Sequence, residues 1–164
     1  MRHDPIRHPH LALPALFTVL LATPVVPAAS SHASSAEPAQ RMQATSTKIE
    51  ADSYLVEIST GSPPPAGAAG SVRVSLTAKG GFHINDQYPY RFRASPPVDG
   101  VSYPKPVLER ADGQFEEKTA VFQLPFVASH AGQFSVGGVL NLSVCSPTSC
   151  IVQKVPLAVT VSVL

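Results

Sequence analysis

The sequence contains little of what membrane insertion, nucleic-acid binding or most catalytic sites require. It has only two cysteines, and 12 Lys and Arg are nearly balanced by 11 Asp and Glu. Nucleic acids and anionic membrane surfaces attract clustered positive charge, so neither is an expected partner. The serine-hydrolase motif, the phosphate-binding glycine loop and the histidine-glutamate zinc motif are all missing. No catalytic constellation other than the cysteine pair is therefore predicted.

A long apolar run is also missing. The longest uncharged apolar segment, residues 11–26, has about 16 residues and two prolines, whereas a spanning helix needs about 20. Two arginines precede it, and small residues follow at 28–36. This pattern predicts a cleaved secretory signal peptide over residues 1–36, with cleavage after Ala33 or Ala36. We therefore expect a periplasmic or secreted protein, without stable membrane insertion after cleavage. Because the segment has no cysteine, a lipid-anchored terminus is not expected.

The remaining 128 residues form one predicted domain behind a short leader. They carry ten basic and ten acidic residues, so the mature protein has no net charge. Residues 37–47 are rich in Ala, Ser, Gln and Thr without apolar periodicity, and are predicted to be a disordered leader. The domain, residues 48–164, can bury roughly two-thirds of its unfolded surface. It does not need disulfides to form a core.

Short alternating apolar runs dominate residues 48–164. Apolar side chains at every second position are typical of strands with one buried face. Four prolines restrict residues 94–106 to edges and loops, and Gly137-Gly138 predicts a bulge or bend. We predict an all-β fold, an immunoglobulin-like antiparallel β-sandwich of seven to eight strands, with a closed barrel as the alternative. The clearest runs are Tyr54/Val56/Ile58, Val72/Val74/Leu76, Ala120/Phe122/Leu124 and Val155/Leu157/Val159/Val161/Val163.

Both cysteines belong to one predicted β-hairpin. The segment Cys145-Ser146-Pro147-Thr148-Ser149-Cys150 separates two apolar runs, and its proline and serines favour a tight turn. Facing residues of antiparallel strands have Cα atoms about 4.5 to 5.5 Å apart, which permits a disulfide between Cys145 and Cys150. Closing so short a loop contributes only about 2 kcal/mol by loop entropy, so stapling is a weak reason for the pair.

Three interpretations of the pair remain open: a redox-active disulfide, a structural disulfide, or a metal site completed by His83 and His130. Disulfide exchange needs an accessible cysteine, a resolving cysteine and control of thiol acidity. The hairpin meets the first two demands, but the nearest cation along the sequence is Lys154. His83 is predicted to be an outward-facing strand residue and His130 a turn residue. We predict no metal and no cofactor.

Three sequence segments occur in a familiar order behind the predicted signal peptide. They are Gly80-Gly81-Phe82-His83-Ile84-Asn85, then Tyr103-Pro104-Lys105-Pro106, and finally the cysteine hairpin running into Lys154-Val155-Pro156-Leu157. In this order the chain resembles the amino-terminal periplasmic domain of the DsbD thiol:disulfide interchange family, over roughly Ile49 to Val163. The resemblance implies an immunoglobulin-like sandwich whose cysteine pair passes electrons to or from thioredoxin-fold partners.

The resemblance also implies roles for individual residues. Cys145 and Cys150 match the catalytic redox pair, and Cys150 would form the mixed disulfide. Asp86, Tyr88 and Tyr90 match, by position, a cap loop that shields the pair. Four residues separate the cysteines here, whereas some members of the family have five. The alternative is a non-catalytic exported binding or assembly module with a structural hairpin disulfide.

Overall fold

The computed structural model describes residues 46–164. The predicted signal peptide and residues 37–45 of the predicted leader lie outside the described residues. The last two residues of that leader are hydrogen-bonded to the domain. The Ser46 carbonyl accepts the Ala158 N–H at 3.2 Å, and the Thr47 carbonyl accepts the Ile58 N–H at 2.9 Å. The folded part of the chain therefore includes Ser46 and Thr47.

The described residues form eleven strands and a single 3-10 turn, Arg110–Asp112. The predicted all-β antiparallel sandwich is confirmed. Five of the strands have only two or three residues, too few to show alternation, which is why fewer were predicted. The strands are β1 Lys48–Glu50, β2 Tyr54–Thr60, β3 Ala69–Ala78, β4 His83–Ile84, β5 Arg91–Ala94, β6 Val101–Ser102, β7 Val107–Glu109, β8 Gly113–Phe115, β9 Thr119–Ala128, β10 Gly132–Cys145 and β11 Cys150–Val163.

The strands pair into two antiparallel sheets. One sheet has the order β1-β2-β3-β9-β6, with β8 also beside β9. The other has the order β11-β10-β5-β7, with β4 also beside β10. The alternating side chains of both sheets meet in one apolar core, since successive residues of a strand point to opposite faces. Its largest fully buried side chains include Tyr90, Phe92, Phe122, Phe126, Leu76 and Leu124. Within residues 46–164 no helix has the length and apolar character that crossing a bilayer requires.

Strand β9 continues through Pro125. The strand pairs with β8 at residues 120–122 and with β6 at residues 127–128 on the same side. Pro125 lies opposite the gap between these two neighbours, while Ser71 of β3 faces it across the other side. A proline lacks the N–H that a ladder needs, so it is tolerated at such a gap.

The prediction of a bulge or bend at Gly137-Gly138 was wrong. Both glycines lie inside β10, and its register with β11 continues through them, with Gly137 opposite Ala158 and Gly138 opposite Leu157. A Cβ atom built on Gly137 would meet the Ala158 Cα at 2.6 Å, and one built on Gly138 would meet the Ala94 Cα at 2.9 Å. The glycines are therefore required by the close approach of neighbouring strands rather than by a turn.

Candidate functional site

The disulfide lies at the loop end of the β10–β11 hairpin. Cys145 ends β10, Cys150 begins β11, and the two face each other with Cα atoms 4.0 Å apart and sulfurs 2.01 Å apart. The Ser146 N–H donates to the Ser149 carbonyl at 2.8 Å. In return, the Ser146 hydroxyl accepts the Ser149 N–H at 3.2 Å. The predicted hairpin, its four-residue loop and the turn role of the serines are confirmed.

The two cysteines differ in their accessibility. Cys145 is only 7% exposed, whereas Cys150 is an exposed residue. In the neighbouring facing pair, Val144 is part of the apolar core and Ile151 packs against that core. Because side chains alternate along a strand, both cysteines point to the outer face of the five-stranded sheet. A second thiol can therefore reach the disulfide from the Cys150 side.

The short strand β4 places a histidine beside the disulfide. His83 lies opposite Cys145, and Ile84 lies opposite Val144. Directly opposite residues of an antiparallel pair point to the same face. Three side chains, His83, Cys145 and Cys150, therefore form a row across β4, β10 and β11, which we call the outer row. The prediction that His83 faces outward is confirmed, and its half-buried state shows that it is partly covered.

The structure does not assemble the four-residue metal set. His130 stacks edge-on against Phe134, with ring centroids 5.1 Å apart, near the opposite end of β10. Cys145 lies eleven positions after Phe134 along β10, or roughly 36 Å at the rise of a strand. Within residues 46–164 no three His, Cys, Asp or Glu side chains are grouped so as to hold a metal ion. The fold thus brings His83 to the cysteines but leaves His130 far away.

The loop from Asn85 to Tyr90 is anchored on Ser143, which lies two residues before Cys145. The buried Tyr90 hydroxyl donates to the Ser143 carbonyl and accepts the Asn85 N–H at 3.0 Å. The Asn85 side-chain amide donates to the Ser143 hydroxyl at 3.2 Å. Since Ser143 is fully buried, these bonds hold the loop against the outer face beside the hairpin end.

The three predicted cap residues occupy different environments. Tyr90 is 1% exposed and packs against Phe115, with ring centroids 5.0 Å apart. Tyr88 is half-buried and packs edge-on against Tyr90 at 5.1 Å. Asp86 is exposed and lines a depression of about 390 Å³ together with His83. Tyr90 thus contributes to the core. The capping role assigned to the loop stays a prediction.

The depression beside the outer row carries charge of both signs. The residues that line it include three acidic ones, Asp86, Glu116 and Glu117, and one with a guanidinium, Arg110. That guanidinium lies over the Phe115 ring, 4.4 Å from its centroid. A cation held over an aromatic ring is fixed in place by the ring quadrupole. His83 therefore shares its surroundings with acidic residues and with two basic ones, because the Lys118 ammonium donates to the Phe82 carbonyl at 2.5 Å.

Tyr90 should make the protein sensitive to alkali. Burial raises the pKa of Tyr90 to about 12. The ordinary pKa of a tyrosine is about 10. The stability that the neutral, buried Tyr90 side chain contributes is therefore fully present below about pH 10 and is lost as the pH rises to about 12. Between those values we expect the free energy of unfolding of the wild type to fall by up to roughly 3 kcal/mol more than that of Tyr90→Phe. Urea titrations across this pH range measure both proteins.

The other tyrosines serve as an internal control for this comparison, because they ionise in both proteins. If the free energies of unfolding of the wild type and of Tyr90→Phe fell equally in alkali, the raised pKa of Tyr90 would be contradicted. At neutral pH the variant should also lose about 1 to 3 kcal/mol, since the Ser143 carbonyl loses a buried donor.

Two features of the site were not predicted. The pairing of β4 with β10 joins residues 62 positions apart, and two-residue strands carry no periodic signal. The anchoring role of Ser143 depends on the same pairing. The only sequence signal was the apolar flank of His83 by Phe82 and Ile84, which indicated an extended segment but not its neighbour.

Together, the fold and the site define an antiparallel β-sandwich with a disulfide that closes a hairpin at the outer face of one sheet. No protein-family model matches the chain, and no curated protein matches it significantly. The function is therefore argued from the geometry of the outer row.

Proposed function

We propose that this chain is a thiol:disulfide exchange module of the DsbD amino-terminal type. It relays electrons through Cys145 and Cys150 to or from thioredoxin-fold or other thiol proteins of the periplasm. The chain reaches that compartment through its signal peptide. A disulfide is consistent with such an oxidising compartment.

The observation that supports exchange most directly is the unequal burial of the two bonded cysteines. Cys150 is exposed, and Cys145 is 7% exposed. Attack on a disulfide needs a free approach to one sulfur and a thiolate leaving group at the other. Cys150 supplies the approach, and Cys145 supplies a leaving group held within the sheet. This agrees with the role that the family resemblance implies for Cys150.

The proposed reaction conserves atoms and electrons. A partner thiolate attacks the Cys150 sulfur, the bond between the two cysteines breaks, and Cys145 leaves as a thiolate. The partner's second thiol then attacks its own sulfur in the mixed disulfide and releases Cys150. The partner dithiol becomes a disulfide, and two electrons reduce the Cys145–Cys150 bond. The reverse sequence oxidises the pair.

A purely structural role for the disulfide has less physical support. The hairpin is already held by a register of fourteen facing residue pairs between β10 and β11. Closing a loop of about six residues adds only about 2 kcal/mol by loop entropy. The disulfide therefore adds little to the stability of the hairpin, while its Cys150 side is accessible to a second thiol.

Equilibration with glutathione buffers of graded ratio tests the proposal. We expect a midpoint above about −300 mV, because structural disulfides lie below that value. A midpoint well below it would overturn the exchange role and favour a non-catalytic module with a structural clip.

Single-cysteine variants provide the complementary test. Cys145→Ser leaves Cys150 accessible and without its resolving partner, so it should accumulate a mixed disulfide with an oxidised thioredoxin-fold protein. Cys150→Ser is the matched control, and its buried Cys145 should accumulate far less. Equal trapping by both variants would contradict the assignment of Cys150 as the attacked sulfur.

A further inference from the structure

We propose that His83 is a positioning residue for this exchange, which stabilises the Cys145 thiolate when the disulfide opens. The inference rests on the proposed function, and it supplies the control of thiol acidity that the sequence around the cysteines lacks. It follows from the outer row, where Cys145 lies between Cys150 on one neighbouring strand and His83 on the other.

The geometry favours a direct interaction between His83 and the released sulfur. Facing residues of an antiparallel pair have Cβ atoms about 4.5 to 5.5 Å apart on the same face. His83 is half-buried and Cys145 is nearly fully buried, so solvent screens their interaction only in part. The backbone is held in place on both sides of the histidine, because the Phe82 N–H before it donates to the Lys79 carbonyl at 3.0 Å. The Ile84 N–H donates to the Glu117 carbonyl at 2.8 Å, and Asn85 bonds to Ser143.

His83 acts on the exchange reaction only through its charge or its proton, and the same sulfur bonds form and break. When the partner thiolate attacks Cys150, negative charge passes to the Cys145 sulfur. A protonated His83 imidazole offsets that charge, or gives its proton to the sulfur and leaves a neutral imidazole beside a thiol. Either event lowers the free energy of the opened state, because a thiol leaves faster and is more acidic beside a cationic histidine.

Charged groups of both signs surround His83. On the described elements packed around it, the titratable and charged groups are Cys145 on β10, Asp86 on the following loop, Arg110 on the 3-10 turn, and Glu116 and Glu117 before β9. The Lys118 ammonium is a further charged group: it donates to the Gly80 carbonyl at 3.2 Å and to the carbonyl of Phe82, the residue before His83, at 2.5 Å. Three acidic residues against two basic ones, Arg110 and Lys118, leave these surroundings with a small net negative charge.

Three variants in the full chain test this inference. His83→Gln removes the charge and keeps a hydrogen-bonding side chain, while His83→Lys restores a permanent positive charge. His130→Gln, at the other end of the sandwich, is the matched control. In each protein we would measure the glutathione midpoint and the rate of reduction by a small thiol as a function of pH. Thiolate absorbance of Cys145 would be followed in a Cys150→Ser background.

We expect His83→Gln to shift the equilibrium toward the disulfide by about tenfold, or about 30 mV for a two-electron couple. The thiolate should form at higher pH than in the wild type. The rate difference should be largest in mildly acidic solution and vanish in alkaline solution, where imidazole is neutral. His83→Lys should restore the wild-type midpoint and lose the pH dependence, and His130→Gln should match the wild type.

The outcomes separate this inference from the proposed function. If the wild type exchanges with glutathione and His83→Gln has the same midpoint and pH profile, the inference is overturned and the exchange function stands. If the wild-type disulfide resists glutathione, the exchange function fails. In that case an unchanged Cys145 thiolate titration in His83→Gln would overturn the charge interaction as well. A loss in both His83→Gln and His83→Lys would indicate a structural role and would also overturn the inference.

Discussion

Gly138→Ala is expected to lower the free energy of unfolding by about 3 kcal/mol or more. Gly138 lies in β10 between two strands, with Leu157 of β11 and Ala94 of β5 opposite it. An added Cβ would clash with the Arg93 carbonyl oxygen and approach the Ala94 Cα to 2.9 Å. These are backbone atoms of the sheet, which cannot rotate away as a side chain can. The strands would have to separate at the centre of the sheet.

Urea denaturation measures the effect through its midpoint, with an unchanged slope showing that two-state unfolding is retained. Gly81→Ala is the matched control, because a Cβ at Gly81 meets nothing within 4 Å. That variant should unfold within about 0.5 kcal/mol of the wild type. Similar losses in both variants would show that glycine flexibility, and not the close strand approach, determines the cost.

Phe92→Ala should destabilise the protein by about 3 to 5 kcal/mol. Phe92 is fully buried on β5, which lies between β10 and β7. Its cross-strand neighbours, Leu140 and Leu108, are also buried, so no exposed side chain is available to refill the space. The loss combines the transfer free energy of the ring with the cost of the remaining cavity.

The matched control is Val152→Ala on the outer face of β11, where the side chain is 56% exposed. Its expected change is within about 0.5 kcal/mol. Thermal and urea unfolding of both variants give the comparison. If Phe92→Ala were as stable as Val152→Ala, the packing of the two sheets around β5 would be contradicted.

Such packing effects bear on function, because the outer row depends on the five-stranded sheet. Cys145 and Cys150 belong to β10 and β11, and His83 reaches them only through the pairing of β4 with β10. Gly137 and Gly138 let β10 lie close to its neighbours β11 and β5. A variant that separates those strands should therefore also weaken the proposed exchange activity. The Cys150→Ser control distinguishes that indirect loss from loss of the sulfur that we propose is attacked.

The cysteine hairpin shows how much of the site could be predicted from local patterns. Turn residues between two alternating runs determine a hairpin almost independently of the rest of the chain, because its contacts are close in sequence. The disulfide could be predicted for the same reason. Tyr90 shows the limit of this reasoning. An aromatic residue near a turn fits both a cap and a core position. The tertiary structure places Tyr90 in the core, where it is 1% exposed and bonded to Ser143, 53 residues away.

The sequence by itself determined the sandwich class, the hairpin and the facing cysteines, because side-chain alternation and turn chemistry act over a few residues. Only the tertiary structure decided that His83 lies beside Cys145, that Gly137-Gly138 continues a strand, and that Tyr90 is buried. Those features arise where distant segments pair, and short strands carry too little periodic signal to specify their partners. Register between remote strands is determined by the packing of the whole core.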